Sequence, residues 1–201
     1  MQTRPTLRLV LRAVALLAIF PVIAHAHPGH DGHDLTWDFN AGFTHPFSGW
    51  DHLLAMIAVG LWAAQLGGRA RWLVPAAFVG VMVLGAGLGH HGWGFSGAEQ
   101  AIAASVLALG LLVAAAARLP LAASMTIAGV FAFFHGLAHG AELPAGAAGL
   151  DYGVGFVLAT LALHLAGVGL GLFSARKSNL VAQTAGAAIA VAGAAMLAIG
   201  G

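Results

Sequence analysis

The chain of 201 residues is 60% hydrophobic and only 7% charged, with a mean hydropathy of +0.89 and a formal net charge of +1 when histidine is neutral. A water-soluble domain carries roughly 25% charged residues, so this composition points to a protein whose solvent is largely lipid. Cysteine is absent, which excludes thiolate metal sites, disulfides, iron–sulfur ligation and c-type haem attachment, while eleven histidines outnumber the eight Lys and Arg together.

The first 26 residues read as a cleavable signal peptide. Arg4, Arg8 and Arg12 precede an apolar stretch from Ala13 to Ile23, and Ala24-His25-Ala26 fits an A-x-A cleavage site. The apolar stretch is also shorter than the about 20 residues that a spanning helix needs. Without the three leader arginines, five basic residues face seven acidic ones, a net charge of −2 with histidine neutral. The basic overall pI therefore says nothing about nucleic acid, and none is expected as a partner. Residues 27–44 then form an external N-terminal tail. In HPGHDGHDLTWD, His27, His30 and His33 recur at three-residue spacing beside Asp31 and Asp34, as in a short metal-collecting tract or a plain hydrophilic tail.

Residues 45–201 divide at charges and turn residues into six apolar segments, near 49–67, 72–89, 98–117, 120–139, 152–173 and 180–199. Each is close to the length that crosses hydrocarbon, where backbone groups must be satisfied within the segment. The expected fold is all-α: a polytopic membrane protein, a compact bundle of six transmembrane helices. No β-alternation, Walker motif or dinucleotide fingerprint is present, so neither an enzyme nor a prosthetic group is expected.

After the leader, every base lies between segments one and two (Arg69, Arg71), three and four (Arg118), or five and six (Arg176, Lys177). The acids Asp31, Asp34, Asp38, Asp51, Glu99, Glu142 and Asp151 lie in or beside the opposite set of connections. The positive-inside rule makes the basic loops cytoplasmic. Both mature termini then face the periplasm or exterior, with the chain in the inner membrane, as a secreted N-terminus also requires. Gly80–Gly85–Gly89, Gly153–Gly155, Gly167–Gly169–Gly171 and Gly186–Gly193 suit close helix approach.

Polar groups are few enough to take singly. In HPFSGWDH (His45–His52), Ser48-Gly49-Trp50-Asp51 matches a capping box, and Pro46 favours an extended or turn conformation at His45. Helix-start chemistry leaves His45 and His52 unexplained, and Met56 follows one turn after His52 on the same face. Asp51 caps, ligates, or does both. Ser96-Gly97-Ala98-Glu99 forms a second such box, preceded by His90 and His91 in the loop HHGWGF; His90 is a weaker candidate ligand. In FFHGLAHGAE, His135, His139 and Glu142 have i, i+4, i+7 spacing on one helix face. No glutamate follows the first histidine, so the zinc-protease motif is absent. Span parity puts the end of segment four on the same side as the start of segment one, so the two motifs are able to meet. His164 sits mid-span in TLALHLAGVG, where a polar group is costly unless it faces the bundle interior. Asp151 reads as the start of segment five.

Imidazole and carboxylate ligands suit borderline divalent metals such as nickel, cobalt and zinc. Coordination requires neutral imidazoles and should weaken as pH falls. The leader, HPFSGWDH at the first mature span and FHGLAHGAE at the fourth together resemble the HupE/UreJ family of small integral-membrane proteins, over essentially the whole mature chain. That resemblance implies a permease for Ni2+, with Co2+ the alternative, supplying a metalloenzyme such as hydrogenase or urease. It implies a metal path through His45, Asp51 and His52 in one motif and His135, His139 and Glu142 in the other. The chain is also similar to the His–Asp–His signature of larger nickel/cobalt transporters, but with five residues between His45 and Asp51 where that signature has four. Expected partners are the divalent ion and the lipid bilayer, with a homo-oligomer left open. Two other readings use the same residues: a nonconducting metal sensor or accessory scaffold, and a b-type haem electron carrier ligated by His135 or His139 with His164.

Overall fold

A computed structural model describes residues 37–143 and 148–199. The proposed leader and His27, His30 and His33 lie outside the described residues. The described chain forms α1 (Phe39–Ser48), α2 (Trp50–Leu66), α3 (Ala70–His90), α4 (Ala98–Ala114), α5 (Leu121–Glu142), α6 (Ala148–Lys177) and α7 (Asn179–Ile199), with no strand among the described residues. Helices α2 to α7 correspond to the six apolar segments. Four of them, α3, α5, α6 and α7, are long and apolar enough to cross a membrane. Helices α1 and α2 meet at an 81° bend and pass that test only as a pair, giving up to five candidate spans. Helix α4, at 17 residues, is shorter than those four and does not pass the test.

Helix α1 corrects the expected extended conformation at His45. Asp38 caps it, with Oδ1 accepting the N–H of Ala41 at 2.8 Å. Phe39, Phe43 and Phe47 form one exposed ridge at four-residue spacing, while Gly42 and Pro46 are buried on the other side. Pro46 falls in the last turn without excluding His45 from the helix, which ends two residues later where Gly49 turns extended.

Neither anticipated capping box forms. Ser48 closes α1, its hydroxyl donating to the Thr44 carbonyl at 3.2 Å, and Gly49 becomes the N-cap of α2 with no side-chain cap bond. Asp51 still serves the helix start by itself: its Oδ1 accepts the N–H of His52 at 2.8 Å. At α4, a turn from the Phe95 carbonyl to the Ala98 N–H moves the cap to Gly97, and Ser96 takes no part.

Close backbone contact sets the helix pairs. On α3 and α5, Gly85 lies against Phe133, Gly89 against Leu137, Gly136 against Met82 and Gly140 against Ala86, in each case so near a carbonyl oxygen that a Cβ would collide. This reciprocal small-xxx-small seam lets two helices approach without a side-chain layer between them. Gly60 of α2 and Gly167 of α6 face each other in the same way, while between α4 and α7 Gly110 lies against Ala190 and Gly186 against Ala114. Gly155, Gly171 and Gly193 also sit at contacts, whereas Gly80, Gly153 and Gly169 meet nothing within 4 Å. A helix that is apolar all round carries no moment to fix its rotation, so sequence spacing alone did not separate these two groups. The α3–α5 seam has a direct consequence for the site. His135 and His139 each precede a seam glycine by one residue, about 100° round the helix, and so point off the seam. Both point toward His52 of α2, with His139 also against Phe156 of α6 and His135 keeping Phe78 of α3 as a neighbour.

Candidate metal centre

The bend at Gly49 folds His45, on the last turn of α1, back over His52, on the first turn of α2; their ring centroids are 5.4 Å apart. Gly49 has a second use: a Cβ there would lie 2.6 Å from Asp51 Oδ1, so the absence of a side chain leaves Asp51 room to turn back on the helix start. His139 enters from the end of α5. Its ring meets His52 at 4.5 Å and 89°, and His45 at 4.8 Å and 79°. One ring nitrogen from each of His45, His52 and His139 lies within 4.8 Å of the other two. His52 and His139 are buried and His45 half-buried. Tyr152 and Phe156 of α6 close the remaining side, with Phe156 4.9 Å from the His139 ring and Tyr152 6.0 Å from that of His45. The two sequence motifs therefore meet, through three imidazoles from three helices.

The carboxylates stand on the outer side of this trio. Asp51 Oδ1 is 3.3 Å from His52 Nδ1, and Glu142 Oε2 is 3.6 Å from His139 Nδ1. Their side chains are 26% and 40% exposed, against 1% and 5% for the histidines they flank, so the negative charge lies at the mouth and the nitrogens lie beneath it. Neither approach has hydrogen-bond geometry here; a small ring rotation would let each Nδ1–H donate to its carboxylate, the arrangement that orients a ligating imidazole and raises the basicity of its other nitrogen.

His135 lies deeper, its ring 5.5 Å from that of His52. Its Nδ1 is 2.9 Å from the Phe131 carbonyl oxygen. A carbonyl only accepts, so Nδ1 carries the proton and the lone pair sits on Nε2. That Nε2 is buried and has no hydrogen-bond partner among the described residues. Beyond it the Phe78 ring packs against His135 at 5.6 Å and against His164 at 5.1 Å. Both ring nitrogens of His164, and the Thr160 hydroxyl one turn earlier on α6, are likewise buried without a hydrogen-bond partner among the described residues. Buried polar groups are ordinarily satisfied. A line of unsatisfied polar atoms inside an apolar bundle is thus an uncommon and costly feature.

The other sequence candidates fall elsewhere. Met56 belongs to the fully buried apolar core, and His90 is exposed at the end of α3 beside His91, outside the three-histidine group. Asp151 is exposed in the first turn of α6. Sequence reasoning missed Tyr152 and Phe156, whose four-residue spacing at the start of segment five was the available signal. It also missed Phe78 and Thr160, which nothing in their local sequence distinguishes.

Helices able to cross a bilayer, gathered around buried imidazoles, define a multi-pass membrane protein with a candidate metal centre. Comparison with known proteins agrees with that class. The profile of the HupE / UreJ protein family matches residues 14–196, and the chain belongs to that family. "Protein HupE" of Rhizobium leguminosarum bv. viciae is 47% identical over 190 residues, covering 94% of this chain and 96% of the relative. No solved structure matches the chain.

Proposed function

We propose that the protein is a permease for a divalent transition-metal ion, Ni2+ in the first place and Co2+ in the second, that supplies a metalloenzyme such as a hydrogenase or urease. The observation that carries this reading is the convergence of His45, His52 and His139 beneath an acidic mouth. Three neutral nitrogen donors without any thiolate suit nickel, cobalt and zinc better than Cu(I) or Mg2+. Among these, the resemblance to the family favours nickel.

The acidic mouth raises the local concentration of cations, and Asp51 and Glu142 orient the His52 and His139 rings rather than filling the coordination sphere. Three imidazoles leave coordination positions for water, so the ion is only partly dehydrated and release stays cheap, as conduction requires. His135 Nε2 offers the next lone pair inward, and His164 with Thr160 a further one beyond Phe78. This inward series favours conduction over a sensor or scaffold, for which the mouth alone would suffice. A haem held between His135 and His164 would have to displace the Phe78 ring that packs against both.

In this reading the chain makes six crossings. The 17 residues of α4 rise about 26 Å, near the roughly 30 Å of hydrocarbon, with the following alanines completing the passage. The histidine mouth faces the periplasm and the arginine end the cytoplasm of the inner membrane. Without an ATP-binding motif the ion moves down its electrochemical gradient.

Proteoliposomes containing the purified full chain provide the test, with radioactive nickel outside and cobalt or zinc as competitor. Uptake above that of empty vesicles, displaced better by cobalt than by zinc, is expected. Stoichiometric nickel binding with uptake equal to that of empty vesicles would make the protein a sensor or scaffold instead.

A further inference from the structure

The end of the bundle opposite the histidines carries a separate polar pocket of about 370 Å3, between the ends of α2 and α6 and the starts of α3 and α7. Gln65, Arg71, Arg118 and Asn179 supply its polar lining. Two guanidinium groups therefore share one recess, and no carboxylate of the described residues forms an ion pair with either. The Arg71 Nε is buried with no hydrogen-bond partner among the described residues. Arg71 is half-buried and Arg118 exposed, so two like charges line one partly solvated recess without a paired carboxylate, a setting that attracts an anion.

Its walls are pinned. Trp62 Nε1 donates to the Ala117 carbonyl at 2.9 Å and Gln65 Nε2 to the Val113 carbonyl at 3.0 Å, which fixes the end of α2 against the end of α4. On the other side the Ser174 hydroxyl oxygen accepts the Ala182 N–H at 3.0 Å and holds the start of α7 against α6. Helix α7 opens at Asn179 into the recess and adds the positive end of its dipole. The Gln65 Oε1 is a buried acceptor without a donor among the described residues, so an occupant bearing a hydroxyl matches it.

We propose that this pocket binds a phosphate group, that of an anionic lipid headgroup before free phosphate. Two planar guanidinium forks match phosphate oxygens. The pocket lies at the helix ends, and Trp72, the residue after Arg71, is exposed there as an aromatic anchor at the headgroup level would be. A hydroxyl-bearing headgroup such as phosphatidylglycerol also supplies the donor that Gln65 Oε1 lacks. The site is independent of the metal reading.

Native mass spectrometry of the detergent-solubilised full chain, titrated with phosphatidylglycerol or phosphatidylcholine, tests the lipid source. Calorimetric titration with inorganic phosphate tests the free-anion source. We expect phosphatidylglycerol to be retained about tenfold better than phosphatidylcholine, Arg71→Gln/Arg118→Gln to lose that preference, and Arg71→Lys/Arg118→Lys to keep part of it. Arginine-dependent binding of inorganic phosphate alone would keep the site and assign it to free phosphate. Arg118→Gln, at an exposed position, gives the reading should the double variant not fold. Equal retention of both lipids without phosphate binding, or binding undiminished by these substitutions, would overturn the proposal.

Discussion

His52 and His139 meet edge to face at 4.5 Å, one from the first turn of α2 and the other from the last turn of α5. Each has a carboxylate on its outer side, Asp51 at 3.3 Å and Glu142 at 3.6 Å. In the proposed reading this arrangement divides labour between imidazoles that would hold the ion and carboxylates that would orient them.

The division is measurable. Removing a donor should cost more than removing its support: His45→Ala, His52→Ala and His139→Ala each weaken nickel binding by about 100-fold or more, Asp51→Asn and Glu142→Gln by about tenfold. Isothermal titration of the purified variants checks this. Carboxylate substitutions as damaging as the histidine ones would make Asp51 and Glu142 ligands.

Protons and metal compete for the same lone pairs. Neutral imidazoles ligate, so nickel affinity should rise with pH and weaken in acid as protons compete for the ring nitrogens. Binding should release protons, seen as a dependence of the measured enthalpy on buffer ionisation. Affinity constant from pH 5 to 8 would argue against histidine coordination.

Phe78 separates His135 from His164 without offering a ligand to the ion. Phe78→Leu should leave equilibrium nickel affinity at the mouth unchanged while raising vesicle flux severalfold. Unchanged flux with unchanged affinity would place the route elsewhere.

The glycine seam predicts a stability contrast. Gly136→Val and Gly140→Val put side chains into the α3 backbone and should abolish the folded protein or sharply lower its Tm. Gly80→Ala, with nothing within 4 Å, should be neutral or stabilising by up to about 1 kcal/mol. Thermal unfolding in one detergent compares them.

Much of the site was legible because charge and span parity place the ends of segments one and four on one side, and HPFSGWDH does meet FHGLAHGAE there. The helix at His45 was not legible. The conformational preference of a residue before proline is local, and a tertiary seat for Gly42 against Tyr152 of α6 outweighs it. Ser48 and Ser96 matched a capping pattern, but a pattern does not say which residue becomes the N-cap, and in both cases the following glycine did. The separation of Asp51 and Glu142 from the three-imidazole group depends on rotamers, which spacing along a helix does not encode.

Initial rates of radioactive nickel uptake into proteoliposomes carrying equal amounts of folded protein test the central claim most directly. His45→Ala, His52→Ala and His139→Ala should each reduce the rate about tenfold or more at subsaturating nickel, while His90→Ala, at the exposed end of α3, should match the wild type. Wild-type rates in all three cluster variants would contradict the account.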